Sequence, residues 1–283
     1  MQGGCQGCKL EDHRFDIAMA FQPIVDVETG HVLAFEALVR GSNGEGAAEV
    51  LARVTDENRY AFDQRCRVAA IEGAVAAGIL NTGAKLSINF LPNAVYSPAA
   101  CIQLTLKTAN ATGLPVDRLI FEFTENEEIS DTDHLKNIVE TYQKMGFGTA
   151  IDDFGAGHAG LGLLAKFQTD YIKLDMELIR GIEASLPRRM IVEGVIRIAN
   201  SLGITIIAEG IETIAEYDAL RTMGVRYLQG YLLARPGFKS LPTWNLPDER
   251  DAGFAIYAPV YGSLTRSDKR RTTDRLSPLP RRN

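Results

Sequence analysis

Residues 131–153 read DTDHLKNIVETYQKMGFGTAIDD: a helical period, then a strand, then two acids. Leu135, Ile138, Val139 and Tyr142 recur three or four apart, which puts them on one helix face, and the pattern stops at Gly146. Gly148–Ile151 is a short apolar run that ends on Asp152 and Asp153. Similar runs, rich in Ile, Val, Phe and Tyr, lie at Ala18–Val25, His31–Leu38, Lys85–Phe90, Arg118–Phe123, Tyr171–Leu174, Thr205–Ala208 and Tyr227–Leu233. Two more helical periods end on glycine. Leu186–Leu202 carries Met190, Ile191, Val195, Ile198, Ala199 and Leu202 and stops at Gly203; Thr213–Met223 stops at Gly224. Strand, helix, strand, repeated, implies a parallel sheet covered by helices. Eight strand candidates predict that the sheet closes, giving an α/β fold of the TIM-like (β/α)8 type. Only a few residues, containing Glu28, Thr29 and Gly30, separate the first two runs. That spacing reads as a hairpin, so one strand near the start is expected to be antiparallel.

The 283 residues suit one such barrel, which needs about 250. The barrel is expected over residues 15–245. A flexible N-terminal segment (1–14) precedes it, and a C-terminal extension (246–283), disordered from about Ser263, follows once the apolar pattern fades after Pro236. Apolar content of 46% and charged content of 23% fit a globular protein. No stretch is long and apolar enough for a transmembrane segment, and the N-terminus lacks a signal-peptide pattern, so a cytoplasmic protein with reduced cysteines is expected. From Thr265 to Asn283 seven Arg or Lys face two Asp, a charge of +5; against the total of −6 this leaves −11 on the rest. An acidic body argues against a nucleic-acid polymer as partner.

The acids gather at strand ends. Glu36 closes the second run, Asn89 the third, Glu122 and Glu125 the fourth, and Asp152 and Asp153 the fifth. Lys173 and Asp175 close the sixth, Glu209 and Glu212 the seventh, and Gln229 lies in the eighth. In a parallel barrel those ends converge on one mouth, where active sites are built. A solvent-facing strand end explains one or two such residues, but not this many carboxylates. Converging carboxylates repel one another unless cations sit among them. All-oxygen donors suit Mg²⁺ or Mn²⁺ rather than zinc, and the larger Ca²⁺ is expected to inhibit. Two ions roughly 4 Å apart can activate a water and stabilise an in-line phosphoryl displacement. Lys173 could orient or help deprotonate that water, or neutralise the phosphate.

The segments Phe21-Gln-Pro-Ile-Val-Asp26, Glu36-Ala-Leu-Val-Arg40, Phe121-Glu-Phe-Thr-Glu125, Asp152-Asp-Phe-Gly155, Asp170-Tyr-Ile-Lys173, Ala208-Glu-Gly-Ile-Glu212 and Gln229-Gly-Tyr231 resemble, in order, the successive motifs of the EAL domain, the cyclic-di-GMP phosphodiesterase family. They cover about residues 15–240. The resemblance implies hydrolysis of cyclic di-GMP to linear 5′-pGpG with two metal ions per active site. It places Glu36, Asn89, Glu122 and Asp152 on the first metal, and Asp152, Asp153 and Glu209 on the second. It puts Lys173 on the attacking water, Glu125 on the loop after Asp153, and Glu212 behind the site. Gln22, Leu38, Arg40 and Gln229 would contact the dinucleotide. A homodimer formed beside the Asp153–Leu161 loop is also implied. The metal positions are all filled, which favours an enzyme over the rival reading, an EAL domain that binds cyclic di-GMP or a protein without hydrolysis. Regulation is expected from a protein in trans, from dimerisation or from the N-terminal thiols.

Three other signals carry less. Gly155-Ala-Gly157-His-Ala-Gly160 has the dinucleotide-binding spacing, but Asp152 and Asp153 would repel a pyrophosphate and the next strand begins about ten residues later. Cys5 and Cys8 form a lone C-x-x-C, with His13 nearby, and are expected to be inert thiols. His158 stands where the family often has an aromatic residue.

Overall fold

The computed structural model describes residues 15–125, 131–157 and 160–247. Among them the strands are β1 (Ile17–Asp26), β2 (Val32–Gly41), β3 (Lys85–Asn89), β4 (Leu119–Thr124), β5 (Gly148–Phe154), β6 (Tyr171–Leu174), β7 (Thr205–Ala208), β8 (Tyr227–Leu228) and β9 (Gly237–Phe238). The helices are α1 (Ala47–Leu51), α2 (Arg59–Ala76), α3 (Pro98–Cys101), α4 (Gln103–Thr112), α5 (Thr132–Lys144), α6 (Gly160–Leu164), α7 (Met176–Ile179), α8 (Leu186–Leu202) and α9 (Ile214–Thr222). Strands β2 to β8 lie side by side in sequential order and run parallel. The circle is closed by β1, antiparallel to both β2 and β8. The chain is thus an eight-stranded barrel with one reversed strand. The hairpin joining β1 to β2 is fixed by Asp26, whose carboxylate accepts from the Glu28 backbone and the Thr29 hydroxyl. Gly30 supplies the left-handed φ of +73° that this turn needs.

Two cores form. A large one fills the space between barrel and helices and includes Phe21, Phe35, Leu86, Phe121, Ile151 and Leu174 from the strands. A smaller one lies inside the barrel: Ile24, Ala34, Ile120, Ala150 and Ile207, with Leu33, Tyr171 and Tyr227 against it. Side chains alternate along a strand, so every barrel strand except β3, whose inward residue is Ser87, feeds both cores.

The structure departs from the sequence reading at four places. β8 stops at Leu228 rather than Leu233, because the backbone turns there: Leu233 and Ala234 both donate to the Gly230 carbonyl. A Cβ on Gly230 would lie 2.1 Å from the Ile211 carbonyl, so only glycine permits that approach. Beyond Pro236, where the apolar pattern fades, contacts with the barrel continue: β9 pairs with Ala20–Phe21, and the Trp244 indole donates to the Gly30 carbonyl at 3.0 Å. Sequence periodicity does not mark the long helix α2, because its buried face mixes Phe62, Ala70, Ile71 and Ala74 with Asp63, Gln64 and Arg67. On α8 the buried stripe is Val192, Val195, Ile196 and Ala199, whereas Met190, Ile191, Ile198 and Leu202 are exposed. No helix among the described residues is long and apolar enough to cross a membrane. Cys5, Cys8, His13, His158 and the tail from Ser263 lie outside the described residues.

Candidate active site

The inner core predicts the site by the period of two. Two residues beyond the inward-facing Ala34, Ser87, Ile120, Ala150, Tyr171, Ile207 and Tyr227 stand Glu36, Asn89, Glu122, Asp152, Lys173, Glu209 and Gln229. In the reversed β1 the order inverts, and Gln22 stands above Ile24. Pairing continues past the strand ends: the Glu209 amide donates to Leu174 and the Gln229 amide to Ala208. An apolar floor therefore carries a polar ring.

Lys173 is fully buried at its centre. Its Nζ lies 2.6 Å from Glu209 Oε1, 2.9 Å from Glu122 Oε2, 2.9 Å from Asp152 Oδ1 and 3.4 Å from Glu36 Oε2. Burial alone would lower its pKa, but Asp152, Glu122, Glu209 and Glu36 together hold it well above the usual lysine value. One ammonium cannot balance the acids. Burial, opposed by Lys173 and aided by Glu36 and Asp152, pushes Glu122 up to about 8. Burial likewise raises Asp152 and Glu209, against the pull of Lys173. Asp153 is pushed up to about 6 by burial and by its neighbours Asp152 and Asp175.

The oxygens fall into two triads, Glu36–Glu122–Asp152 and Asp152–Asp153–Glu209, each within 4.8 Å. Asp152 belongs to both. Asn89 donates to Glu36 Oε1 at 3.1 Å and adds an amide oxygen beside the first triad. Five carboxylates against one ammonium form a hard-oxygen donor set short of positive charge, which fits Mg²⁺ or Mn²⁺.

A regular strand would send Asp152 and Asp153 to opposite faces. The β5–β6 register slips between Ile151 and Phe154, an extra residue that brings both acids to the mouth. The slip is accompanied by a left-handed φ of +53° at Asp153, whose amide donates to Asp152 Oδ1 at 3.0 Å. The loop that follows is held by Glu125, which accepts from the amides of Gly155 at 2.8 Å and Gly160 at 2.6 Å.

Gln22, Gln229 and Glu36 are also brought together. The Gln229 amide donates to Glu36 Oε2 at 2.7 Å and to Gln22 Oε1 at 3.3 Å, while Gln22 donates to the Ala234 carbonyl. Leu38 and Arg40 follow Glu36 on the same strand face, nearer the rim and half-buried. Glu212 is not placed in the ring: it is half-exposed and pairs with Arg180 at 3.0 Å. Arg180 also reaches Glu216, which is buried and caps α9 with Thr213. Ser87 was missed in the sequence, yet its hydroxyl donates to Glu122 Oε1. The signal was available, since Ser87 lies two residues before Asn89 on one strand.

The EAL domain model matches residues 10–236. Over 242 residues the chain is 34% identical to the blue light- and temperature-regulated antirepressor BluF of Escherichia coli, covering 85% of this chain and 58% of that protein. Over 237 residues it is 28% identical to the probable cyclic di-GMP phosphodiesterase PdeA of E. coli, covering 74% of this chain and 31% of that one. It therefore spans less than two thirds of either relative. A standalone versatile EAL protein from Vibrio cholerae, solved in its c-di-GMP-bound form, is 50% identical with a TM-score of 0.79, over 83% of this chain and 98% of that one. Klebsiella pneumoniae BlrP1, solved as a manganese/cy-diGMP complex, is 37% identical with a TM-score of 0.74, over 79% of this chain and 57% of that one. Barrel, acidic ring and the match from residue 10 to 236 agree: the chain belongs to the EAL domain family.

Proposed function

We propose that the chain hydrolyses cyclic di-GMP to linear 5′-pGpG with two divalent cations, Mg²⁺ or Mn²⁺. The observation that carries this reading is the ring of acids around a single buried ammonium, in a barrel whose relatives include named cyclic di-GMP phosphodiesterases. Glu36, Asn89, Glu122 and Asp152 would hold one cation; Asp152, Asp153 and Glu209 would hold the other. Cations in these places supply a lowered pKa for water and neutralise charge on the phosphoryl oxygens. Once the carboxylates are engaged by cations, Lys173 can donate to the attacking water and fix its line of approach. The water oxygen joins phosphorus as the P–O3′ bond breaks, and the proton that the water gives up is matched by one gained by the departing O3′, leaving a 5′-phosphate and a 3′-hydroxyl. Glu125 keeps the loop bearing Gly155 beside Asp153, and Glu212 supports the mouth from behind through Arg180. Gln22, Leu38, Arg40 and Gln229 contact the dinucleotide.

A second reading has its own support. The relative at 34% identity is named an antirepressor, which suggests an EAL domain that acts by binding, either to cyclic di-GMP or to a regulatory protein in trans. Homodimerisation beside the 153–161 loop belongs to both readings. The exposed Leu161, in the first turn of α6, supplies apolar surface there.

Incubation with cyclic di-GMP and Mg²⁺ or Mn²⁺, followed by chromatography, decides between them. The expected product is pGpG, abolished by chelation and blocked by Ca²⁺. Tight binding of cyclic di-GMP without product in either metal would replace the enzyme with the receptor.

A further inference from the structure

Behind β3 and β4, outside the barrel, lies a second buried charge that no step above uses. Arg67 of α2 is fully buried, and Asp63, one turn earlier, is nearly so. Arg67 Nη2 lies 2.7 Å from Asp63 Oδ2, and Nη1 donates to the Tyr142 hydroxyl at 3.1 Å. The guanidinium sits 5.5 Å from the ring centre of Phe90 and 5.4 Å from that of Phe121.

These partners border the site. Phe90 follows Asn89, and Phe121 precedes Glu122, so each aromatic side chain faces outward where its neighbour faces the ring. Asn89 and Glu122 are directly paired across β3 and β4, and the Phe90 amide donates to the Glu122 carbonyl at 2.9 Å. Asp63 Oδ1 accepts the Leu91 amide at 2.9 Å, holding the backbone as it leaves β3. Tyr142 belongs to α5, which leads into β5 and Asp152.

A buried ion pair is weak evidence for stability, since apolar residues of similar volume often serve as well. What this pair adds is direction: an acceptor aimed at one amide and a planar cation lodged against two rings. We infer that Asp63 and Arg67 form a positioning unit that sets Asn89 and Glu122 for the first metal. The inference rests on the functional reading above, but it concerns metal affinity rather than turnover.

The test compares Mn²⁺ affinity, by electron paramagnetic resonance, with melting temperature. Asp63→Leu/Arg67→Met removes both charges and the acceptor. It should melt close to wild type while binding Mn²⁺ several-fold more weakly, less than the loss of roughly tenfold or more that follows removal of a direct partner of a ligand, because Asp63 and Arg67 act on Asn89 and Glu122 through the Leu91 backbone and the Phe90 and Phe121 rings. Asp63→Asn/Arg67→Met restores an acceptor for the Leu91 amide and should recover most of that affinity. Arg226→Met, which breaks an ion pair with Asp26 at the far end of the barrel, should leave Mn²⁺ affinity unchanged. If the Leu/Met variant does not fold, Tyr142→Phe carries the test, with a smaller fall in affinity expected because it removes one hydrogen bond to Arg67 and leaves the Asp63 acceptor in place. Mn²⁺ affinity equal to wild type in whichever of these two is measured, or an equal loss in Arg226→Met, would overturn the inference alone. A wild-type protein that binds no Mn²⁺ would overturn the functional reading, and the inference with it.

Discussion

Among the described residues two cations are fully buried, Lys173 and Arg67, and they are enclosed in opposite ways. Arg67 has one carboxylate, one hydroxyl and two aromatic faces, a balanced set. Lys173 has four carboxylates within 3.4 Å, with a fifth, Asp153, beside them. Both pairings cost desolvation. Only the second leaves surplus negative charge, which must be met by protons or by added cations. A barrel can therefore contain one buried cation matched by a single carboxylate and another ringed by more acids than it can balance. The count of opposite charges around each tells them apart.

The largest effect should fall on the balanced pair. Arg67→Met alone leaves Asp63 buried without its cation, and breaking such a pair costs about 3–5 kcal/mol. Urea unfolding should show this as a lower midpoint at unchanged slope; a variant as stable as wild type would mean that Arg67 is not the counter-charge of Asp63. Next comes Lys173→Ala, expected to lower kcat by roughly two orders of magnitude or more while affinity for cyclic di-GMP changes far less. Equal losses in kcat and binding would move Lys173 from the chemistry to the ground state. Glu36→Ala should resemble it at low metal but recover partly as Mn²⁺ is raised in single-turnover assays, whereas Lys173→Ala should gain nothing. Parallel metal curves would show that the two side chains do not differ in role.

The smallest effect is a pH dependence confined to the metal-free protein. Carboxyls raised in the folded state keep protons that the unfolded chain gives up near pH 4. Their contribution to stability is thus present below about pH 4 and fades as pH rises through about 6 for Asp153 and about 8 for Glu122. Melting temperature without metal should drift down across that window, and saturating Mn²⁺ should flatten the drift. The same slope with and without Mn²⁺ would show that the cations do not meet these acids.

Lys173, Asp152, Glu122 and Glu209 announce themselves because each stands at or just past the end of an apolar run, and the closed parallel sheet makes strand ends converge. The Arg67 site gave no such signal: its polar residues interrupt the apolar face of α2 and so hid the helix itself. The reach of both Asp152 and Asp153 into one mouth depends on a register slip and a left-handed backbone at a non-glycine residue, neither of which side-chain type reports. On α8 the apolar period was visible, but it marks two faces of the helix and periodicity alone does not say which is inside. The two-residue β9 is too short for any period.

The floor of Ile24, Ala34, Ile120, Ala150 and Ile207 has one more consequence. It makes the barrel a vessel with a single doorway, because nothing can drain downward through packed aliphatic side chains. Whatever enters above that floor can leave only by the mouth, the end at which Glu125 holds the Gly155 and Gly160 amides. Arrival and departure share one passage and must take turns.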